Sequence, residues 1–201
     1  MMYDVRSKLP NIYKSKNIIL SFMSQLFLES AIKRVSYYKD LGDKTFVQLT
    51  ENDFHFTSSE DCNSIATIIQ HMHGNMLSRW TDFLTSDGEK EWRNRDAEFE
   101  DQNLNKEELI TLWEQGWNCF LEALKSLSNN DLEKTIYIRS EALSVVDGIN
   151  RQLAHYPYHV GQIIFIAKMI KNKDWQNLSI PKGRSAAFNN HPEGYRKKNQ
   201  P

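Results

Sequence analysis

Cysteine is scarce in this sequence. Cys62 and Cys119 are the only two in 201 residues, which excludes a disulfide framework and any zinc site built on thiolates. Both are expected as free buried thiols in a reducing, cytoplasmic setting. An excess of positive charge is also missing: 25 Lys and Arg stand against 26 Asp and Glu, for a net charge of −1. No global basic field is therefore available to hold nucleic acid. The one basic cluster of note, Arg196-Lys197-Lys198 in the tail, is expected to be solvated. No apolar run is long enough to span a bilayer. Lys14 and Lys16 ahead of Ile18 to Met23 imitate a secretory leader, but Ser21, Ser24, Gln25 and Glu29 interrupt the pattern, so it reads as a helix. Internal repeats and low-complexity stretches are absent as well.

What is present is ordinary globular material: 40% hydrophobic and 25% charged residues, enough for one domain with a sizeable core. Residues 1–16 read as a loose leader, 17–175 as the domain and 176–201 as an irregular tail with Pro181, Gly183, Pro192 and Gly194. Apolar residues recur at helical spacing in four stretches. The first runs from Asn17 to Leu41, carries Phe22, Leu26, Phe27, Ala31 and Val35, and stops at Gly42; Thr45 to Leu49 suggests a short extra helix. The second starts at Asn63 or Ser64 and runs to Leu84, with Ile65, Ile68, Ile69, Met72, Met76 and Phe83 on one face. The third runs from Asn105, paired with Glu108 as a capping box, to Leu127. The fourth runs from Ser144 to Ile170. Ile136-Tyr137-Ile138 has β character and can pair with Leu143-Ser144. The expected fold is all-α, a four-helix bundle with a short β-like segment before the last helix.

The informative chemistry lies in the fourth helix. His155 and His159 stand at i and i+4, one turn apart on one face. Neutral imidazoles at that spacing suit a single ion of zinc, nickel, iron or copper. The zincin motif is excluded because Tyr156 occupies the place of its Glu. A carboxylate di-iron site is excluded because Ile68, Gln152 and Tyr156 hold the places where Glu is needed three residues before each ligand. A third ligand has to come from another helix, and the second helix offers His71 and His73. At about 100° per residue these point about 200° apart, so one ion cannot use both. His73 lies nearer the apolar stripe; His71 shares a polar strip with Asn75 and Ser78. Pro157 falls between the two fourth-helix histidines, where it clashes with the Leu153 carbonyl and predicts a kink.

Further residues carry a resemblance. Asn63-Ser64-Ile65-Ala66 and His71-Met72-His73-Gly74-Asn75 are followed by Trp80-Thr81-Asp82-Phe83-Leu84, Asp87-Gly88-Glu89-Lys90 and Trp92-Arg93-Asn94-Arg95-Asp96. Asn150-Arg151-Gln152-Leu153-Ala154-His155 then leads into Tyr158-His159-Val160-Gly161-Gln162-Ile163, and Leu178-Ser179-Ile180-Pro181-Lys182-Gly183 closes the pattern. Together they resemble the DinB-like superfamily, also called YfiT-like, over nearly the whole chain from the first helix onward. The resemblance implies an up-down-down-up four-helix bundle, often a homodimer, with a three-histidine metal site. It implies His71, His155 and His159 as ligands, with His73 as the fallback, because the family's first histidine precedes an apolar residue, one variable position and Gly-Asn. Pro157 departs from the family's usual pattern.

A three-imidazole site leaves open positions on a divalent ion, the layout of catalytic rather than structural centres. Zinc or nickel is expected first, then iron or manganese. The resemblance implies an enzyme acting on a small molecule by thiol transfer or hydrolysis; the alternative is a non-catalytic metal-binding or stress-related interaction protein. Opposed histidines would also suit haem. Asn75, Gln152 and Gln162 are positioned to orient ligands or a bound water. Arg93, Arg95 and Asp96 lie in a loop that could cover the site, its arginines gripping an anionic substrate. No carboxylate is evident as a partner of the histidines. Neither nucleic acid nor a membrane is expected as a partner.

Overall fold

Ser64, Asn105 and Ser144 each begin a helix by the same device. Their side-chain oxygens accept the backbone N–H three residues on, from Thr67, Glu108 and Asp147, at 3.0–3.1 Å, satisfying donors that a helix start leaves orphaned. Asn105 completes the box expected of it, its own N–H donating to Glu108 at 2.8 Å. In the computed structural model, which describes residues 9–190 and side chains from Ile18 onward apart from Leu20, these starts open α3 (Ile65–Trp80), α4 (Lys106–Ser126) and α5 (Val145–Lys171). With α1 (Leu9–Phe46) they are the four long helices of a mostly helical chain; α2 (Glu51–Phe54) and α6 (Ser185–Asn190) are short. Among the described residues no helix is long and apolar enough to cross a membrane. The basic cluster Arg196 to Lys198 lies outside the described residues.

The first helix departs most from expectation. It begins at Leu9 rather than Asn17, inside the stretch read as leader, and runs through Gly42 to Phe46. Gly42 is no stop: a Cβ there would lie 2.3 Å from Cζ2 of Trp113, so the glycine admits a tryptophan ring from α4. Thr45 stays helical, its hydroxyl donating to Leu41 O at 2.8 Å. The short extra helix follows at Glu51–Phe54 instead of Thr45 to Leu49. The buried stripe of α1 is Leu28, Ala31, Val35 and Phe46, whereas Phe22 and Leu26 are exposed.

α3 is central. Ile65, Ile68, Ile69, Met72 and Met76 are all buried, as is Phe83 just beyond its end. The helix closes at Trp80, four residues earlier than its apolar pattern suggests, because Thr81 is extended and Asp82 adopts a positive φ of 49°. α3 packs most heavily on α4, and α1 on α5. Gly116 allows the first contact; a Cβ on it would come within 3.0 Å of the Met76 sulfur and 3.2 Å of His73 Cα. Trp113, Trp117, Phe120, Leu109 and Leu124 of α4 fill the core. α5 stays continuous through Pro157.

The β-like segment is a hairpin. β1 (Thr135–Ile138) pairs antiparallel with β2 (Glu141–Ser144), Ile136 opposite Leu143. Arg139 and Ser140 form its two-residue turn with φ of 56° and 64°, both positive, as a turn matching strand twist requires. Asp87 compensates the strain. Its carboxylate accepts the N–H groups of Arg139 and Ser140 at 2.8 and 2.7 Å, and Gly88 donates to Tyr137 O at 2.7 Å. The hairpin is thereby tied to the loop that follows α3.

Candidate metal centre

Buried polar residues distinguish α3 from an ordinary amphipathic helix. Gln70, His71, Asn75, Ser78 and Arg79 are each less than a tenth exposed, a strip that burial penalises unless each group finds a partner. Ser78 and Arg79 both donate to Gly88 O. His71 donates from Nδ1 to Glu98 Oε2 at 2.9 Å. Glu98 lies in a 3-10 turn (Asp96–Phe99) and is itself buried. Arg93 grips it from the other side, Nε to Oε1 at 2.7 Å and Nη2 to Oε2 at 2.9 Å. Burial would push the Glu98 carboxyl up, but hydrogen bonds from Arg93 and His71 hold it below the usual carboxylate range. Gly74 makes room for this carboxylate: a Cβ at that position would fall 2.3 Å from Oε1. Phe99 stacks on the His71 ring at 4.8 Å between centroids.

α5 supplies the other two rings. His155 Nδ1 lies 3.3 Å from Gln152 Oε1, and His159 Nδ1 lies 2.8 Å from Gln162 Oε1. An amide oxygen only accepts, so both Nδ1 atoms carry the proton. Each neutral ring is then left with a bare Nε2, and the two Nε2 atoms face each other at 3.0 Å. Neither takes a proton easily. Burial, followed by the neighbouring His159 and His71, pushes His155 down to about 3, and burial pushes His159 down to about 4. At neutral pH two lone pairs therefore oppose each other. His71 donates its Nδ1–H to Glu98, which leaves Nε2 as the atom that ring offers to a metal. One nitrogen from each of the three rings lies within 4.8 Å of the other two. Such a constellation fits a divalent cation, which replaces lone-pair repulsion with coordination.

The structure therefore brings His71, His155 and His159 together and leaves His73 out. His73 faces α4 beside Gly116, its Nε2 buried without a partner. Periodicity leaned toward His73 because it lies nearer the apolar stripe, but that stripe packs into the core while the cluster forms on the polar strip. Gln152 and Gln162 hold ring nitrogens. Asn75 does not; its Oδ1 accepts the Tyr156 hydroxyl at 3.1 Å. Tyr156 is fully buried, and its oxygen also accepts from Trp80 Nε1 at 3.1 Å. Pro157 does not part the two histidines of α5, whose Nε2 atoms stay 3.0 Å apart. Arg93 serves Glu98 rather than open solvent, its side chain 1% exposed. Arg95 is exposed and lies over the Phe99 ring. Asp96 opens the 3-10 turn and is not among the residues lining the cavity beside the histidines. The thiols stand apart from the cluster, Cys62 exposed and Cys119 half-buried rather than both buried.

The carboxylate partner absent from the sequence reading is Glu98. It stands 27 residues from His71, beyond the reach of any helical spacing. Its signals were Gly74, three positions after His71, and Arg93, five before Glu98; neither announces a buried ion pair alone. A cavity of about 240 Å³ opens beside the cluster, with His71, His155 and Gln152 in its wall.

A family model described as a protein of unknown function (DUF1572) matches residues 22–184. No curated protein and no solved structure matches the chain.

Proposed function

The chain belongs to the DUF1572 family, whose description assigns no activity, and from that premise we propose that it is a divalent-metal-dependent enzyme acting on a small molecule. The observation that carries this reading is the approach of the His155 and His159 Nε2 atoms to 3.0 Å beside a third imidazole. Three imidazole ligands match zinc or nickel first, with iron or manganese as further occupants. A closed structural site needs four protein ligands, whereas this one offers three histidines next to a cavity. That opening favours catalysis over a purely structural or interaction role. The long helices, taken with the DinB-like sequence pattern, support an up-down-down-up four-helix bundle, and the same pattern supports a cytoplasmic homodimer.

A divalent ion in such a site supplies Lewis acidity and lowers the pKa of water or a thiol toward neutrality, which suits hydrolysis or thiol transfer. The protein's own residues do the rest. Gln152 and Gln162 fix the proton on Nδ1 of their histidines and turn both Nε2 atoms inward. Glu98 does the same for His71 and strengthens that ring as a donor. Phe99 covers the face of His71. Substrate enters through the cavity flanking His71 and His155.

Elemental analysis of the protein purified without added metal tests the centre. About one equivalent is expected in the parent and none in His155→Ala/His159→Ala. A metal-free parent that stays so after incubation with zinc, nickel or manganese would overturn the proposal.

A further inference from the structure

Five arginines from four separate elements converge on the cavity beside the histidines. Arg79 comes from α3, Arg93 and Arg95 from the region after it, Arg139 from the hairpin turn and Arg151 from α5. Among the described residues no carboxylate lines this cavity. Carboxylates do stand behind the arginines, but too few to balance them. Glu98 is taken by Arg93 and His71. Glu89 is divided between Arg79 at 3.0 Å and Arg139 at 2.9 Å. Glu141 reaches Arg151 only at 3.6 Å and is 65% exposed. Arg95 has no carboxylate partner among the described residues. Asp87, on the backbone N–H groups of Arg139 and Ser140, is the fourth carboxylate nearby. Five guanidiniums thus stand against four carboxylates, one of them shared with His71, and all five line a space of about 240 Å³.

A second observation is independent of that balance. Nη1 of Arg93 is buried and has no hydrogen-bond acceptor; Glu89, at 3.7 Å, is beyond reach. A buried guanidinium donor without a partner is costly, and Arg93 lines this same cavity. Planar guanidiniums recognise carboxylate and phosphate oxygens in pairs, and few other groups satisfy several of them at once.

We infer that the cavity binds a small oxyanion, a carboxylate or phosphate group, on Arg95, Arg139 and Arg151, with Arg93 Nη1 completing the cradle and the rest of the molecule directed at His71 and His155. The inference deepens the enzymatic reading by naming its substrate class and rests on that reading for the direction in which the substrate points. The anion-binding step itself needs only the arginines. Inorganic phosphate and malonate are the probes that separate the two kinds of oxyanion.

The test is calorimetric titration of the full chain with each probe, with metal content measured on the same samples. The parent is expected to bind one equivalent of at least one probe at millimolar concentration or tighter, more weakly in high salt. Arg139→Gln/Arg151→Gln is expected to weaken that binding about tenfold or more while keeping its metal. Lys125→Gln/Lys182→Gln, which removes the same charge from exposed positions outside the cavity, is expected to leave it unchanged. Arg95→Gln, an exposed residue free of ion pairs, substitutes should the double variant fail to fold. Metal-loaded parent that binds neither probe, or arginine variants no weaker than the lysine control, would overturn the inference and leave the metal centre standing. Arginine-dependent binding to a protein that takes up no metal would uphold the inference and sink the enzymatic reading.

Discussion

The two sides of the histidine cluster are braced by opposite means. On the α3 side, His71 leans on a charged relay, Glu98 and then Arg93, all of it buried. On the α5 side, His155 and His159 lean on neutral amides from their own helix, three residues away in each case. The charged side spans 27 residues of sequence from His71 to Glu98, so its integrity depends on the loop after α3 being docked. The amide side is local and forms as soon as α5 does. A cluster of this kind combines one strongly polarised imidazole with two weakly polarised ones, and the two sides are expected to fail in different ways.

The largest difference should come from Glu98→Ala. It strands the Arg93 guanidinium in a buried site and frees the His71 ring, which is expected to cost about 3–5 kcal/mol of stability; chemical denaturation measures it. Gly74→Ala attacks the same side more gently. Its new Cβ would meet the Glu98 carboxylate and should cost about 1–3 kcal/mol, with metal affinity falling alongside in a chelator competition. A Gly74→Ala protein as stable as the parent would mean that the carboxylate is free to move aside. On the amide side, Gln162→Ala is expected to weaken metal binding about tenfold with little change in the denaturation midpoint.

Acid should separate the two sides as well, through the slope of stability with pH. His155 and His159 are held down at about 3 and about 4 against an ordinary 6.5. The unfolded chain therefore takes up protons first, and metal-free protein should lose stability as pH falls below about 6.5 toward 4. The Glu98 carboxyl is depressed from an ordinary 4.5. Its contribution is fully present above that value and is lost as pH falls through and below it. Melting temperatures of chelator-treated parent and His155→Ala/His159→Ala across this range provide the check: the variant should be flatter between pH 6.5 and 4. Equal slopes would show that the two rings carry no such shift.

Much of this arrangement was legible in the sequence because it is local. Ser64, Asn105 with Glu108 and Ser144 mark helix starts by chemistry acting within three residues. The i, i+4 pair His155 and His159 needs only helical geometry to meet. The parts that were not legible depend on contacts distant in sequence. Gly42 looks like a stop until Trp113 is seen against it. Periodicity alone favoured His73 over His71, because an apolar stripe records what enters the core and is silent about a polar strip buried for another reason. His71, Asn75, Ser78 and Arg79 share one side of α3 at helical intervals, and that repetition was the signal for a buried polar face. Glu98, Arg139 and Arg151 carried no such regularity and became visible only when the hairpin and the loop after α3 were placed.

Tyr156 fixes how all of this is mounted. Its phenol is locked between Asn75 and Trp80 of α3, directly beside His155 in sequence. A helix that turned by one residue about its axis would swing by about 100°, carrying both α5 histidines off the site together. The phenol is a key in a keyway: it permits one rotational setting of α5 against α3. The two rings are therefore presented as a pair or withdrawn as a pair, and half-assembled centres holding one of them are geometrically disfavoured.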